Sequence, residues 1–223
     1  MGEGKRAVKP RPLPRRLDGM NSKVASGRRP AWAAGIIAIV LAFPVAAEEP
    51  GDNRVFVFTG RYHTGHMEHI LNPAAPLGLD YEDNYVAGVG VQQFVPDEDG
   101  KGVRIGWEGG AAIRTGESTS GEAWTGIVGR VDGAHIGPVN VSPALTVGLS
   151  AVTDTIGIES ERVAEGADPH LLFYIAPEIN VSVGENADTE VFMRVQHRSG
   201  AWGLLNDMGD GHNATAVGMR WRF

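Results

Sequence analysis

The 223-residue chain has no cysteine. That excludes a disulfide framework, a thiolate nucleophile and any Cys-ligated zinc or iron–sulfur centre. Its 20 Lys and Arg are outnumbered by 27 Asp and Glu, and the formal net charge of −7 excludes a generally basic nucleic-acid binder. Beyond residue 47 no segment reaches the 18 or so consecutive apolar residues of a membrane-spanning helix. Gly88-Val89-Gly90 is not a phosphate loop, because no helix follows it. What is present is 42% hydrophobic residues, too many for a disordered chain, and 31 glycines.

The charge is uneven. Residues 1–30 hold nine Lys or Arg, followed by the apolar run AWAAGIIAIVLAFPV over 31–45 and then Ala46-Ala47 before Glu48. A basic start, a short apolar stretch and small residues at a cut site read as a secretory signal peptide. The competing reading is a membrane anchor, for which the run is short. Met20 is a plausible start, and Arg28-Arg29 raises twin-arginine export without further support. The domain reading is therefore 1–47 basic leader and signal peptide and 48–223 the exported domain. Cleavage after Ala47 leaves 11 basic against 25 acidic residues, about −14. An acidic, exported, Cys-free chain fits the periplasm or the outer membrane of a double-membraned bacterium.

The exported part repeats runs of about ten residues with weak apolar alternation, separated by Gly, Pro, Asp and Asn, which is the pattern of a transmembrane β-barrel. The strands predicted are 54–61, 85–95, 103–114, 122–131, 143–153, 170–183, 189–199 and 214–223. Pro177 is expected to mark a bend or bulge. The connections 62–84, 115–121, 154–169 and 200–213 alternate with the set 96–102, 132–142 and 184–188, and the former set holds the longest members. Long connections belong outside the cell and short ones in the periplasm. The last strand gives the strongest signal. Thr215, Val217, Met219, Trp221 and Phe223 alternate with Ala214, Ala216, Gly218, Arg220 and Arg222, an apolar face against a small or cationic one. The competing reading is the edge strand of a soluble sandwich. The fold class expected is all-β, an eight-stranded antiparallel transmembrane barrel of the outer membrane.

The 189–199 strand carries the chemistry. Val191, Met193, Val195, His197 and Ser199 share one face, and Glu190, Phe192, Arg194, Gln196 and Arg198 the other. A lipid-facing row thus ends in a His and a Ser two residues apart, which is costly in a membrane unless used or placed at the interface. A neutral His can take the proton of a Ser hydroxyl and so make a nucleophile for acyl transfer, with a third group holding the imidazole. The bland alternative places both harmlessly among lipid headgroups. Arg198, Arg220 and Arg222 read first as lumen charges, with Glu190, Glu108 and Glu178 as partners.

His197-Arg198-Ser199-Gly200-Ala201 on the penultimate strand, a Gly/Asp/Asn-rich loop and a closing strand ending in Phe223 resemble the outer-membrane lipid A 3-O-deacylases of PagL type. The match is best over 189–223 and architectural elsewhere. The resemblance implies an eight-stranded barrel that removes an ester-linked acyl chain from lipid A, with His197 as general base and Ser199 as nucleophile. It implies lipid A or lipopolysaccharide, outer-membrane lipid and the barrel assembly machinery as partners, and neither cofactor nor metal. The family's Glu is missing. The nearest placement gives Asn213, which can orient an imidazole but cannot stabilise an imidazolium as a carboxylate does. Asp207 and Asp210 are candidates to swing in. The alternative function is a non-catalytic small barrel, structural or adhesive; a narrow pore is disfavoured because such a barrel has a filled interior.

The segment from His63 to His69 holds three His and Glu68, a candidate metal-ligand group in the first long connection, against the bland reading of a solvated loop. Asp80, Glu82 and Asp83 in the same connection read as solvated, with weak Ca²⁺ contact as the alternative.

Overall fold

The computed structural model describes residues 52–65, 78–95, 102–184 and 188–223. The leader and signal segment at 1–47 lies outside the described residues. The elements in chain order are β1 (Asp52–His63), β2 (Tyr81–Phe94), β3 (Val103–Thr115), β4 (Thr119–Val131), β5 (Ala134–Ile136), β6 (Val139–Val152), α1 (Ile158–Glu161), β7 (Leu171–Val183), β8 (Thr189–Ser199) and β9 (Asp210–Arg222). Strands β1 to β4 and β6 to β9 form one antiparallel sheet. It closes on itself, because β1 pairs with β9 and β4 with β6. The result is an eight-stranded barrel; three-residue β5 only adds a short hairpin to the start of β6.

Alternation explains why the sheet curls with a defined inside. On these strands the even-numbered side chains face the interior and the odd-numbered ones face out. Val57, Ile105, Ile127, Val147, Val191 and Val217 are among the exposed outward aliphatics. An apolar wall of this extent is tolerated only against lipid.

The interior is filled. Phe56, Phe58, Trp124, Tyr174 and Phe192 are buried together, with the Phe56 and Phe192 rings edge to face at 5.7 Å. Glycines leave the room for them: a Cβ on Gly90 would run into the Phe56 ring, and one on Gly218 into Phe192. Below and around this layer run paired charges. Arg194 meets Glu108 at 2.8 Å and Glu178 at 2.6 Å, Arg220 meets Glu178 at 2.8 Å, and Glu190 is shared by Arg130 at 2.6 Å and Arg54 at 2.7 Å. Buried charges persist only when paired in this way. Arg222 stays half exposed and reaches Asp52 at the barrel end rather than the lumen.

The strands differ from the sequence expectation at their ends. β1 continues to His63, β2 starts at Tyr81, and β9 starts at Asp210 instead of 214. The wall rises further at the rim because its polar residues find partners there. His212 on β9 binds Glu82 on β2 at 3.0 Å, so Glu82 is not a solvated loop acid. Asp83 is exposed on β2 and pairs with Arg61 at 2.9 Å. Pro177 makes no bulge. Pairing of β7 with β8 is interrupted at 176–177, but Ile175↔His197 and Glu178↔Arg194 keep one register. Proline removes a donor without shifting the strand. Register shifts lie instead at the rim: between β1 and β2, where Arg61↔Tyr85 is followed by His63↔Tyr81, and on β9, where Arg198↔His212 is followed by Ser199↔Asp210, leaving Gly211 as the extra residue.

The long β6–β7 connection folds into the mouth. Ile156 and Glu159 are fully buried there. Glu159 binds Arg114 at 2.6 Å and also Arg198, whose Nε donates to Ser150 Oγ at 3.0 Å. Burial would raise the Glu159 carboxyl, but Arg198 and Arg114 outweigh it and hold it below the ordinary carboxylate range.

Candidate active site on the outer wall

Register builds the site. Ile175 on β7 lies opposite His197 on β8, His197 opposite Asn213 on β9, Asn213 opposite His63 on β1, and His63 opposite Tyr81 on β2. Cross-strand partners share a face, so this is one outward row at the rim. Ser199 stands one pleat further along β8, opposite Phe173 and Asp210. Although the row faces outward, His197 and Ser199 are only 4% and 8% exposed, and Asn213 and His63 are fully buried. The row is covered at the rim rather than being bare lipid-facing wall.

The Asn213 amide fixes the chemistry of His197. Asn213 Nδ2 donates to the carbonyl of Gly65 at 2.6 Å, and Oδ1 lies 2.6 Å from His197 Nδ1. A carbonyl oxygen only accepts, so the amide nitrogen must face Gly65 and the amide oxygen must face the ring. His197 Nδ1 therefore carries the proton. Its Nε2 keeps a lone pair and has no hydrogen-bond partner among the described residues. A neutral imidazole held in that tautomer has the form a general base requires.

The structure brings His197 and Asn213 together. Among the described residues no hydrogen bond joins His197 to Ser199, although both lie on the same face two residues apart. Asp210, opposite Ser199, is close enough for its charge to act on the His197 ring. Asp207 sits in the β8–β9 connection with φ 56°. Asn206 anchors that connection to Leu171 through an Nδ2–H···O bond of 2.7 Å.

Next to Ser199 the chain turns left-handed. Ala201 and Trp202 have φ of 51° and 59°, costly for residues with a Cβ. Their N–H groups make no hydrogen bond among the described residues, while the flanking Gly200 N–H is tied to Gly209 O at 2.9 Å. Free N–H groups beside a nucleophile are suited to a developing oxyanion. Trp202 is 99% exposed and Leu204 78%, so this connection presents an apolar tip just beyond Ser199.

Two neighbours were not assigned to this site in the sequence. His63 was placed in the candidate metal group. Of that group His66, Glu68 and His69 lie outside the described residues, and no metal-holding cluster occurs among the described ones. Among the described residues both ring nitrogens of His63 are buried without a hydrogen-bond partner. Extending the alternation of 54–61 by two residues gives the outward face for His63. Arg162, just after α1, reaches across the rim: one terminal nitrogen donates to Gly211 O at 2.8 Å and the other to Thr64 O at 3.0 Å. No periodic signal marks it.

No family model matches the sequence, and no curated protein matches it. Among solved structures the chain is similar to the crystal structure of the outer membrane enzyme PagL, with a TM-score of 0.52 at 14% identity, covering 76% of this chain and 99% of that one. It is also similar to Neisserial surface protein A, with a TM-score of 0.46 at 11% identity over 77% of this chain and 97% of that one. A third likeness is to OprG from Pseudomonas aeruginosa, with a TM-score of 0.41 at 9% identity over 78% of this chain and 96% of that one. At such identity the PagL likeness speaks for the fold alone. Together with the apolar outer wall, that fold makes this chain an eight-stranded β-barrel of the bacterial outer membrane.

Proposed function

We propose that the barrel is an outer-membrane esterase that hydrolyses an ester-linked acyl chain of lipid A. The observation that carries the reading is the Gly65–Asn213–His197 chain of hydrogen bonds on the outer wall, which leaves His197 Nε2 as a free base one pleat from Ser199. In the proposed reaction Ser199 Oγ attacks the ester carbonyl carbon and its proton passes to His197 Nε2. The oxyanion is met by the N–H groups of Ala201 and Trp202. The C–O bond to the sugar breaks, and the leaving oxygen takes the proton from His197. Water then cleaves the acyl-enzyme by the same route and frees the fatty acid. Asn213 holds the ring as an orienting group, the role an Asn also fills in Cys-His-Asn sites. The charge of the imidazolium is answered by Asp210 nearby rather than by residue 213.

A second reading rests on one observation: residue 213 is an amide where a carboxylate would stabilise the imidazolium, and Ser199 is not yet bonded to His197. That favours a non-catalytic barrel, structural or adhesive. The experiment is expression in a host with unmodified lipid A, a heat-modifiability check of assembly, and mass spectrometry of the extracted lipid A. Loss of one acyl unit, abolished by Ser199→Ala and by His197→Ala, is the expected result. Unchanged lipid A from a correctly assembled barrel overturns the esterase reading for that substrate.

A further inference from the structure

Among the described residues Arg162 is a cation without a counterion. It is half-buried, and among the described residues it takes part in no ion pair. The other interior and rim arginines described above each face a carboxylate. Its two hydrogen bonds go to neutral carbonyls, Gly211 O and Thr64 O. Carbonyls orient a guanidinium without cancelling its charge, and two bonds leave most of its five N–H donors unspent.

Its position ties it to the site already described. Thr64 O, which it holds, adjoins Gly65 O, which Asn213 holds. Gly211 O, its other anchor, belongs to the extra residue of the β9 bulge, two before Asn213. One side-chain amide and one peptide unit thus separate the guanidinium from the His197 ring. Its charge acts on both His197 and His63. His63, next to Thr64, adds a second element, a fully buried imidazole with both nitrogens lacking a hydrogen-bond partner among the described residues. Buried polar groups without partners are rare, and a group that a ligand completes is one physical reason for them.

A guanidinium with no carboxylate partner among the described residues, linked to the proposed base through Thr64, Gly65 and Asn213, calls for an anion on the substrate near its ester. We propose that Arg162 is the headgroup subsite of this site and takes a phosphate of a phosphorylated, ester-acylated glycolipid, with His63 beside it. The inference rests on the esterase reading for the ester's position, but the binding it asserts can be measured apart from turnover.

The test uses the full-length barrel, refolded in detergent and checked for heat-modifiable assembly. Lipid A carrying its phosphates and the same lipid after phosphatase treatment are compared for binding by calorimetry and for deacylation rate. Wild type is expected to favour the phosphorylated lipid by about tenfold or more, the scale of one charge-assisted contact. Arg162→Gln is expected to abolish the preference, Arg162→Lys to keep most of it, and Arg61→Gln, which removes a paired rim cation, to keep it whole. A preference that survives Arg162→Gln overturns the subsite. A loss of preference equal in Arg61→Gln overturns it too, because the effect is then general surface charge. Competition by inorganic phosphate with no preference between the two lipids would reveal a free-ion site and overturn the headgroup assignment. Binding preference without turnover leaves the subsite standing and removes the esterase reading; turnover without an Arg162-dependent preference does the reverse.

Discussion

Replacing Glu159 by Gln tests whether the mouth of the barrel is clamped by charge. Glu159 is fully buried and serves two cations, Arg114 at 2.6 Å through one oxygen and Arg198 through the other. The next carboxylate, Glu122, stands 3.8 Å from Arg114 and 3.9 Å from Arg198. Gln keeps the shape and removes the charge, so two buried guanidiniums are left to share Glu122. Breaking a buried pair by removing one partner costs about 3–5 kcal/mol. The expected loss is of that size, read from the midpoint of chemical unfolding of the assembled barrel in detergent. Glu161→Gln, exposed on the same short helix, is the control and is expected to change stability by less than about 0.5 kcal/mol. Acid adds a second readout. The folded Glu159 carboxyl lies below its ordinary value, because Arg198 and Arg114 outweigh its burial. A depressed carboxyl contributes stability that is fully present above the unfolded value, about 4.3, and is lost as pH falls through the folded value. The gap between wild type and Glu159→Gln is therefore expected to be constant near neutral pH and to shrink in acid below about pH 4. A loss under about 1 kcal/mol, or a gap that stays constant into strong acid, would refute the charge clamp.

Gly218→Ala drives a methyl into the Phe192 ring and toward the Val57 carbonyl, and is expected to cost about 1–3 kcal/mol, seen as a lower temperature of the heat-modifiable shift. Asn213→Leu removes both the acceptor for His197 Nδ1–H and the donor to Gly65 O; deacylation is expected to fall at least about tenfold while the barrel still assembles, and full activity in that variant would remove Asn213 from the site.

The barrel was legible because its signal is local. Alternation over 189–199 gives β8 to the residue, since every inward residue there has a buried partner and every outward one up to Val195 faces lipid or the wall's edge. The same parity put Glu108, Glu178 and Glu190 inside with Arg220, as the ion pairs bear out. Strand ends were not legible, because they depend on partners far along the chain. β9 was expected to begin at 214, and its true start at Asp210 is held by His212 reaching Glu82 on another strand. No window of sequence contains both.

The site divides along the same line. His197 and Ser199 stand out from alternation alone, since two polar residues break an apolar row. Asn213 follows from face parity, but its pairing with His197 depends on a register that runs unbroken from Thr189↔Trp221 to Arg198↔His212, with Gly211 interrupting it only beyond that point. With Arg198 opposite His212 and Ser199 opposite Asp210, the bulge absorbs one residue above the row and leaves His197 and Asn213 in line. Had Gly211 been paired in an unbroken ladder, Ser199 would face it rather than Asp210, and that carboxylate would move off the nucleophile's side. A Cβ at Gly211 would strike the Arg198 carbonyl, so the bulge depends on glycine at that position. Arg162 then closes on the Gly211 carbonyl from a segment with no periodic pattern at all. The polar pair was visible as an exception to a local rule. What orients His197 is the Asn213 amide held by Gly65 O, and what sets Asp210 against Ser199 is a one-residue bulge; both depend on partners that no window of sequence contains.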